Sequence, residues 1–403
     1  MNRRRRLLAV TFAVMQATVW TAAQDQAPTE IQSAPIAGWS FRPGVAIGMV
    51  YDTNVAITTA PASTGTTPSD TLFTIDPIGT LKYHGKRTSF DTSYRGTLRR
   101  YTDLDQLNGF DQYISTGLDR RATKRLTIFA QNRFSAVPTT DEMELNGVPF
   151  KRAGSKRDAL AGGMSFRLNE RDTLNARYDF TWVSFDRTEP DLTGGVIHGI
   201  HSDITHAFSN RLSAGAEASV RFAHMDILST VGGRELRFAD FGGTVSYAIS
   251  DVTKVSAAAG YGHLNDLLLA TTRSGLYMRG AITRLALQSV FGLSYEKSFL
   301  PSFGFGGSNR AQELRGWVDL PPIGHRVFLQ GSGAWRRTDP FETRELRLDT
   351  FYLRGTAGYA ISRWARAQGF YLFTRQDSIV TGGEINRHRI GAEVVLSQPM
   401  RIR

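Results

Sequence analysis

Thr88-Ser89-Phe90-Asp91-Thr92-Ser93-Tyr94-Arg95-Gly96-Thr97-Leu98 alternates without a break. Its even positions are Thr88, Phe90, Thr92, Tyr94, Gly96 and Leu98; its odd positions are Ser89, Asp91, Ser93, Arg95 and Thr97. One face is aromatic, aliphatic or small, and the other hydrogen-bonds or carries charge. A period of two marks an extended strand, because successive side chains leave opposite faces. Two settings fit such a strand: a soluble core with water outside it, or lipid outside a wet interior. How often the pattern recurs, and what separates the copies, decides between them.

The pattern recurs to the end of the chain. It predicts strands at Ser40–Tyr51, Thr71–Tyr83, Arg87–Tyr101, Phe110–Arg120, Leu126–Ser135, Arg157–Leu168, Thr173–Phe185, Val196–Phe208 and Arg211–His224. Further strands are expected at Leu236–Ile249, Thr253–His263, Gly275–Thr283, Leu285–Phe299, Ala311–Leu320, Val327–Arg337, Arg347–Ile361, Trp364–Thr374 and Ile385–Ser397. Tight turns such as His84-Gly85-Lys86, Ser209-Asn210 and Pro321-Pro322-Ile323-Gly324 alternate with longer loops such as Asp52–Asp70, Ala136–Lys156 and Leu300–Arg310. Short turns at one end and long loops at the other are the layout of bacterial outer-membrane barrels. Strands of about a dozen residues exceed those of soluble sheets and match a tilted crossing of hydrocarbon. The expected fold is all-β, a single transmembrane antiparallel β-barrel of about 18 strands, between roughly 16 and 20 if one hairpin is misjudged.

The chain has 403 residues and no cysteine. Arg3–Arg6, an apolar Leu7–Trp20 and Thr21-Ala22-Ala23 read as a cleavable signal peptide over 1–23. Residues 24–38 read as a flexible periplasmic tail and 39–403 as the barrel, giving an expected address in the outer membrane of a Gram-negative bacterium, among its lipids. Past the leader no apolar run approaches the length of a membrane-spanning helix.

Of the 48 basic residues only seven are lysine, and the net charge falls from +11 to +7 without the four leader arginines. Parity places Arg95, Arg99, Arg133, Arg167, Arg177, Arg221, Arg279, Arg315, Arg336, Arg354, Arg366, Arg387 and Arg389 on the polar face. Guanidinium is always charged and binds carboxylate, sulfate or phosphate in a fork. These residues either line the lumen as anion-attracting groups or brace the wall against Asp91, Asp111, Asp119, Asp179, Glu217, Asp240, Glu313 and Glu393. Tyr113, Phe129, Tyr277 and Trp317 share that parity, as sugar-stacking surfaces or as packing. On length alone, Ala136–Lys156 or Asp52–Asp70 is the candidate gate.

Catalytic and cofactor signatures are missing. There is no G-x-S-x-G and no H-E-x-x-H. Gly260-Tyr261-Gly262 and Gly331-Ser332-Gly333 lack a third glycine and fall in strands. His198 and His201 fall on opposite faces of one strand, which argues against a metal site. The basic residues are dispersed, so nucleic acid is a poor partner. No cofactor and no enzymatic activity are expected.

Tyr51-Asp52-Thr53-Asn54-Val55, followed by the polar segment Ala56–Asp70 and a proline-containing strand with Pro77, resembles the signature of a β-barrel porin family found in exopolysaccharide gene clusters. Asn386-Arg387-His388-Arg389-Ile390-Gly391 is similar to that family's last strand. The resemblance implies an outer-membrane conduit for polysaccharide export, working with periplasmic export and polymerisation proteins, and the excess of arginine on the polar face makes the expected cargo an acidic exopolysaccharide. A general or anion-selective diffusion porin is the alternative.

Overall fold

The computed structural model describes residues 37–57, 68–138, 153–186, 192–226, 233–286, 289–304, 307–324, 326–341, 347–378 and 383–402. The expected leader and nearly all of the expected tail lie outside these residues. Eighteen long strands follow one another. They are β1 Gly38–Asp52, β2 Asp70–His84, β3 Thr88–Tyr101, β4 Gly109–Arg121, β5 Leu126–Val137, β6 Ser155–Arg167, β7 Asp172–Phe185, β8 Gly195–Ala207 and β9 Leu212–Met225. Then come β10 Arg234–Ala248, β11 Thr253–Asp266, β12 Thr271–Ala286, β13 Ser289–Ser302, β14 Gly307–Ile323, β15 Val327–Pro340, β16 Leu348–Ala360, β17 Ala365–Ser378 and β18 Gly383–Ser397. Each pairs antiparallel with its neighbours in sequence, and β1 pairs with β18 as well as β2. The sheet therefore closes on itself. A short β19, Met400–Ile402, carries the last strand past Gln398-Pro399 and pairs with Trp39–Phe41.

The tight turns share a local device. In five of them a hydroxyl or amide at the first turn position accepts hydrogen bonds from backbone N–H groups two and three residues on. Thr123 Oγ1 accepts from Arg125 and Leu126, and Asn169 Oδ1 from Arg171 and Asp172. Ser209, Ser250 and Ser362 do the same for the residues that open β9, β11 and β17. A short polar side chain that bonds the backbone ahead of it reverses the chain in the fewest residues.

Several element ends differ from the sequence expectation. Leu300–Arg310 is mostly strand, shared between β13 and β14, and Leu264–Ser274 shrinks to Leu267–Ala270. Leu285 belongs to β12, not to the following strand. Pro321-Pro322 is not a turn: the ladder shifts register between Leu320 and Ile323, and β14 continues to pair Ile323 with Val327. A bulge accommodates prolines, which cannot donate to the ladder. The polar loop after β3 contains a short 3-10 turn, Asp105–Leu107.

The two faces separate as parity demands. Ile47 is 56% exposed while its neighbour Ala46 is 1% exposed; Phe241 is 68% exposed while Phe238 is 1% exposed. Ile75, Ile200, Tyr261, Leu276, Leu293 and Ile390 also lie bare on the outer wall. A continuous apolar belt of this size is stable only against hydrocarbon. Outward charge is confined to strand ends, such as Arg120 near the tight turns and Arg237 or Arg375 near the long loops. Substituting outward Leu293 with Arg, a few residues into β13, is expected to destabilise the barrel by about 2–4 kcal/mol. Inward Ser294→Arg is expected to be tolerated. Urea unfolding in lipid vesicles compares the two, and equal costs would refute the assignment of faces.

Candidate functional site

Two features stand out on the inner wall: a seam where the chain's ends meet, and a lumen of paired charges with an apolar cluster on one side of its long-loop end.

The seam is made by the Tyr51–Asn54 motif. Tyr51 faces outward and is exposed, whereas Asp52 and Asn54 are completely buried. Both Asp52 oxygens accept from Arg387 Nε at 3.0 Å, and Asp52 Oδ1 also accepts from the backbone N of Asn54 at 3.1 Å. Arg389 Nε lies 4.0 Å from Asp52 Oδ2. Asn54 Nδ2 donates to the carbonyl of Asn386 at 3.2 Å. Thr53 N donates to His388 O at 3.0 Å, and His388 N returns a bond to Thr53 Oγ1 at 2.9 Å. Thus both family-like segments are used together, to lock the first strand to the last.

Pro77 has a matching role. The β2–β3 ladder is interrupted between Ile75–Leu98 and Ile78–Arg95. In that gap Asp76 is buried and takes Arg95. Glu393 lies 3.7 Å from the same guanidinium and accepts from Gln368 at 2.6 Å.

Of the remaining expected lumen arginines, Arg167 ends β6 and is exposed; the others are placed as follows. Arg99 pairs with Asp111 at 2.8 Å, both buried. Arg177 Nε donates to Asp179 at 2.6 Å, and Asp179 lies 3.2 Å from His201 Nε2. Arg221 donates to Asp240 at 2.8 Å, which Ser219 also meets at 3.0 Å. Arg279 and the Tyr277 hydroxyl both donate to Glu217. Arg315 and Arg336 share Glu313, their Nε atoms at 2.8 and 2.7 Å. Arg354 stacks over the Phe370 ring at 5.8 Å. Arg133 and Arg366, on the same parity, are also engaged. These pairings with carboxylates favour wall bracing over free anion hooks. At Asp52 and at Glu313 two guanidiniums approach the same acid, and Glu296 faces Glu313 across the ladder.

Sequence reasoning missed Asp52 and Asp76 as lumen acids, because both were read as loop or unremarkable strand positions. The aromatic side chains pack: the Phe129 ring covers Gly163, and the Trp317 ring covers Gly292. A larger residue at either glycine would collide with that ring.

On one side of the long-loop end, beside the buried Arg234–Asp266 pair, the interior is apolar. Val183, Ala223, Met225, Leu236, Phe238, Leu264, Phe299 and Phe303 form one buried cluster reaching from β7 to the end of β13. Thr193 and Gly304, from two different long loops, exchange N–H···O bonds of 2.8 Å each. Phe303 is thereby held inside, 3% exposed. Phe341 lies against Phe299 at 5.4 Å, under the Arg273 guanidinium. Most of each loop expected as the gate, residues 58–67 and 139–152, lies outside the described residues. Among the described residues no group of three metal-ligating side chains occurs.

No protein-family profile and no curated protein matches the chain. Solved structures do resemble it. OpdL of Pseudomonas aeruginosa matches at 11% identity and a TM-score of 0.42, over 90% of this chain and 99% of that one. OccAB4 of Acinetobacter baumannii matches at 9% identity and 0.45, over 90% and 99%. The ferric citrate transporter FecA matches at 10% identity and 0.41, over 86% and 61%. At these values the likeness carries no argument about cargo, and the barrel rests on its own ladder.

Two tests follow from the site. Asp52→Asn leaves Arg387 and Arg389 facing each other without their acid, and is expected to cost about 3–5 kcal/mol in lipid-vesicle unfolding; a loss below about 1 kcal/mol would remove the seam lock. Phe303→Ser, and more so Phe303→Ser with Phe238→Ser, is expected to raise single-channel conductance severalfold by wetting the apolar cluster. Unchanged conductance would mean that the cluster does not narrow the path.

Proposed function

We propose that the chain is an outer-membrane channel that passes hydrophilic anionic cargo, narrowed at its long-loop end by the Phe303 cluster. The observation that supports this best is the closed strand ladder, apolar outside and charged inside. Such a wall needs hydrocarbon around it and water within it. The long loops would face the exterior and the tight turns the periplasm.

Anion preference draws support from the number of arginines that share the inward parity, from Arg95 to Arg389. Residual positive charge spaced along a wall attracts a polyanion without holding it at one place. Export of an acidic exopolysaccharide, in concert with periplasmic export proteins, is the finer form of this reading. It rests on the resemblance carried by Tyr51-Asp52-Thr53-Asn54 and Asn386–Gly391. A diffusion pore for small solutes is the second reading, favoured by the extent of ion pairing, which leaves few guanidiniums to grip a polymer.

Planar-bilayer recording of the refolded mature chain tests the proposal. Substituting Arg95, Arg177, Arg221 and Arg354 together by Gln is expected to shift reversal potentials from anion towards cation preference, since four positive charges leave the wall. An acidic polysaccharide added on the tight-turn side is expected to block the wild-type current, and a neutral one of equal length to block it less. Selectivity untouched by the four substitutions would refute an arginine-set preference. Conductance without polymer blockade would favour the diffusion pore.

A further inference from the structure

The outer wall carries the same three-residue constellation twice. On β7 and β8, the Tyr178 hydroxyl lies 2.7 Å from His198 Nδ1, and the Phe180 ring is 5.2 Å from the imidazole. On β17 and β18, the Tyr371 hydroxyl lies 2.8 Å from His388 Nδ1, and the Phe373 ring is 4.9 Å away. The registers also match. Phe180 is the Cα partner of His198 and Phe373 that of His388, while Tyr178 faces Ile200 and Tyr371 faces Ile390.

The two copies sit at one height. Tyr178 is six residues beyond Asp172, the start of β7, and Tyr371 is six beyond Ala365, the start of β17. His198 lies nine residues before Ala207, the end of β8, and His388 nine before Ser397, the end of β18. With a rise of about 3.3 Å per residue and a tilt near 40°, nine residues climb roughly 23 Å from the tight-turn end. The apolar belt of such barrels is about 25 Å tall. Each imidazole therefore stands at the upper edge of the hydrocarbon. Polar groups begin immediately above: Asn132 bonds Asp158 at 2.6 Å beside the first copy, and Arg375 pairs with Glu384 at 2.8 Å beside the second.

With the tyrosine hydroxyl donating to Nδ1, the neutral imidazole carries its proton on Nε2 as a donor. Among the described residues no protein acceptor meets Nε2 in either copy. A donor at this depth needs an acceptor from its surroundings. A lipid phosphate is the strong acceptor found at that level, and a charged acceptor strengthens the bond. We propose that the two Tyr–His pairs are seats for the phosphate of outer-leaflet lipid headgroups, one on each of two wall sectors ten strands apart. The phenylalanine beside each imidazole packs along the first acyl carbons, and the tyrosine fixes the tautomer. The proposal needs only the membrane-spanning barrel and is independent of cargo.

The test uses the full mature chain, folded in detergent, and native mass spectrometry. A short-chain phosphatidic acid is titrated against a diacylglycerol with the same acyl chains. The wild type is expected to bind two phosphatidic acid molecules about tenfold more tightly than diacylglycerol, as one charge-assisted hydrogen bond per seat implies. His198→Phe and His388→Phe are each expected to remove one tight lipid, and the double variant both. The unboiled gel mobility of a folded barrel checks that each variant is intact. No preference for phosphate in the wild type, or two tight lipids retained by an intact double variant, would overturn the proposal. Equal binding of both lipids would show that acyl packing alone acts there.

Discussion

Hydrocarbon offers nothing to a backbone N–H or C=O, and each group left unpaired there costs several kcal/mol. β1 must therefore find β18, and most of the molecule follows from that requirement. The strands tilt and stagger so that the ladder can close. Every second side chain is then committed to lipid, and every other one to the interior. Charge has no place on the outer belt, so the chain's many arginines are gathered inside, where each needs an acid or a ring. The buried Arg99–Asp111 and Arg387–Asp52 pairs are the extreme of this arrangement.

Inside, the polar rule fails on one side of the long-loop end, and the failure is informative. Leu236 and Phe238 occupy inward positions directly above inward Asp240, which holds Arg221. A few residues along one strand, the wall changes from ion pairs to a dry cluster. Apolar side chains pointing into a lumen lower their free energy only by meeting one another. The Thr193–Gly304 pairing brings Phe303 to complete that contact. The segment that carries Phe303 therefore removes apolar side chains that would otherwise face water.

Much of this was legible in residues such as Thr88–Leu98, because one face of a strand in lipid must be free of charge for its whole length. Strand number and the tight-turn side could be read for the same reason. Strand ends were harder. Pro321-Pro322 has the chemistry of a turn, and only a bulge in the paired ladder reveals that the strand continues. The arginines could be assigned to the lumen, but their partners could not. Asp76 lies next to a proline whose missing N–H opens a gap that period-two reading cannot see. Asp52 belongs to a recognisable motif, yet its acceptor role depends on Arg387, far away in sequence. The inward Phe303 follows a serine and precedes a glycine at a loop tip, where parity gives no direction.

The seam has a consequence for the order in which the barrel can be made. Arg95 and Asp76 are 19 residues apart, whereas Arg387 and Asp52 are separated by 335. Chain entropy alone makes the second contact about 2–3 kcal/mol harder to form than the first in a flexible chain. Hairpins such as β2–β3 can therefore assemble early, and the joining of first strand to last is the final event. Until then the growing sheet has two raw edges, each a template for further strands. A chain that lacked its last strand would keep both edges for good and would be prone to recruit a strand from another molecule. Asp52 thus acts as a completion mark: it is satisfied only when the whole length of the polypeptide has arrived.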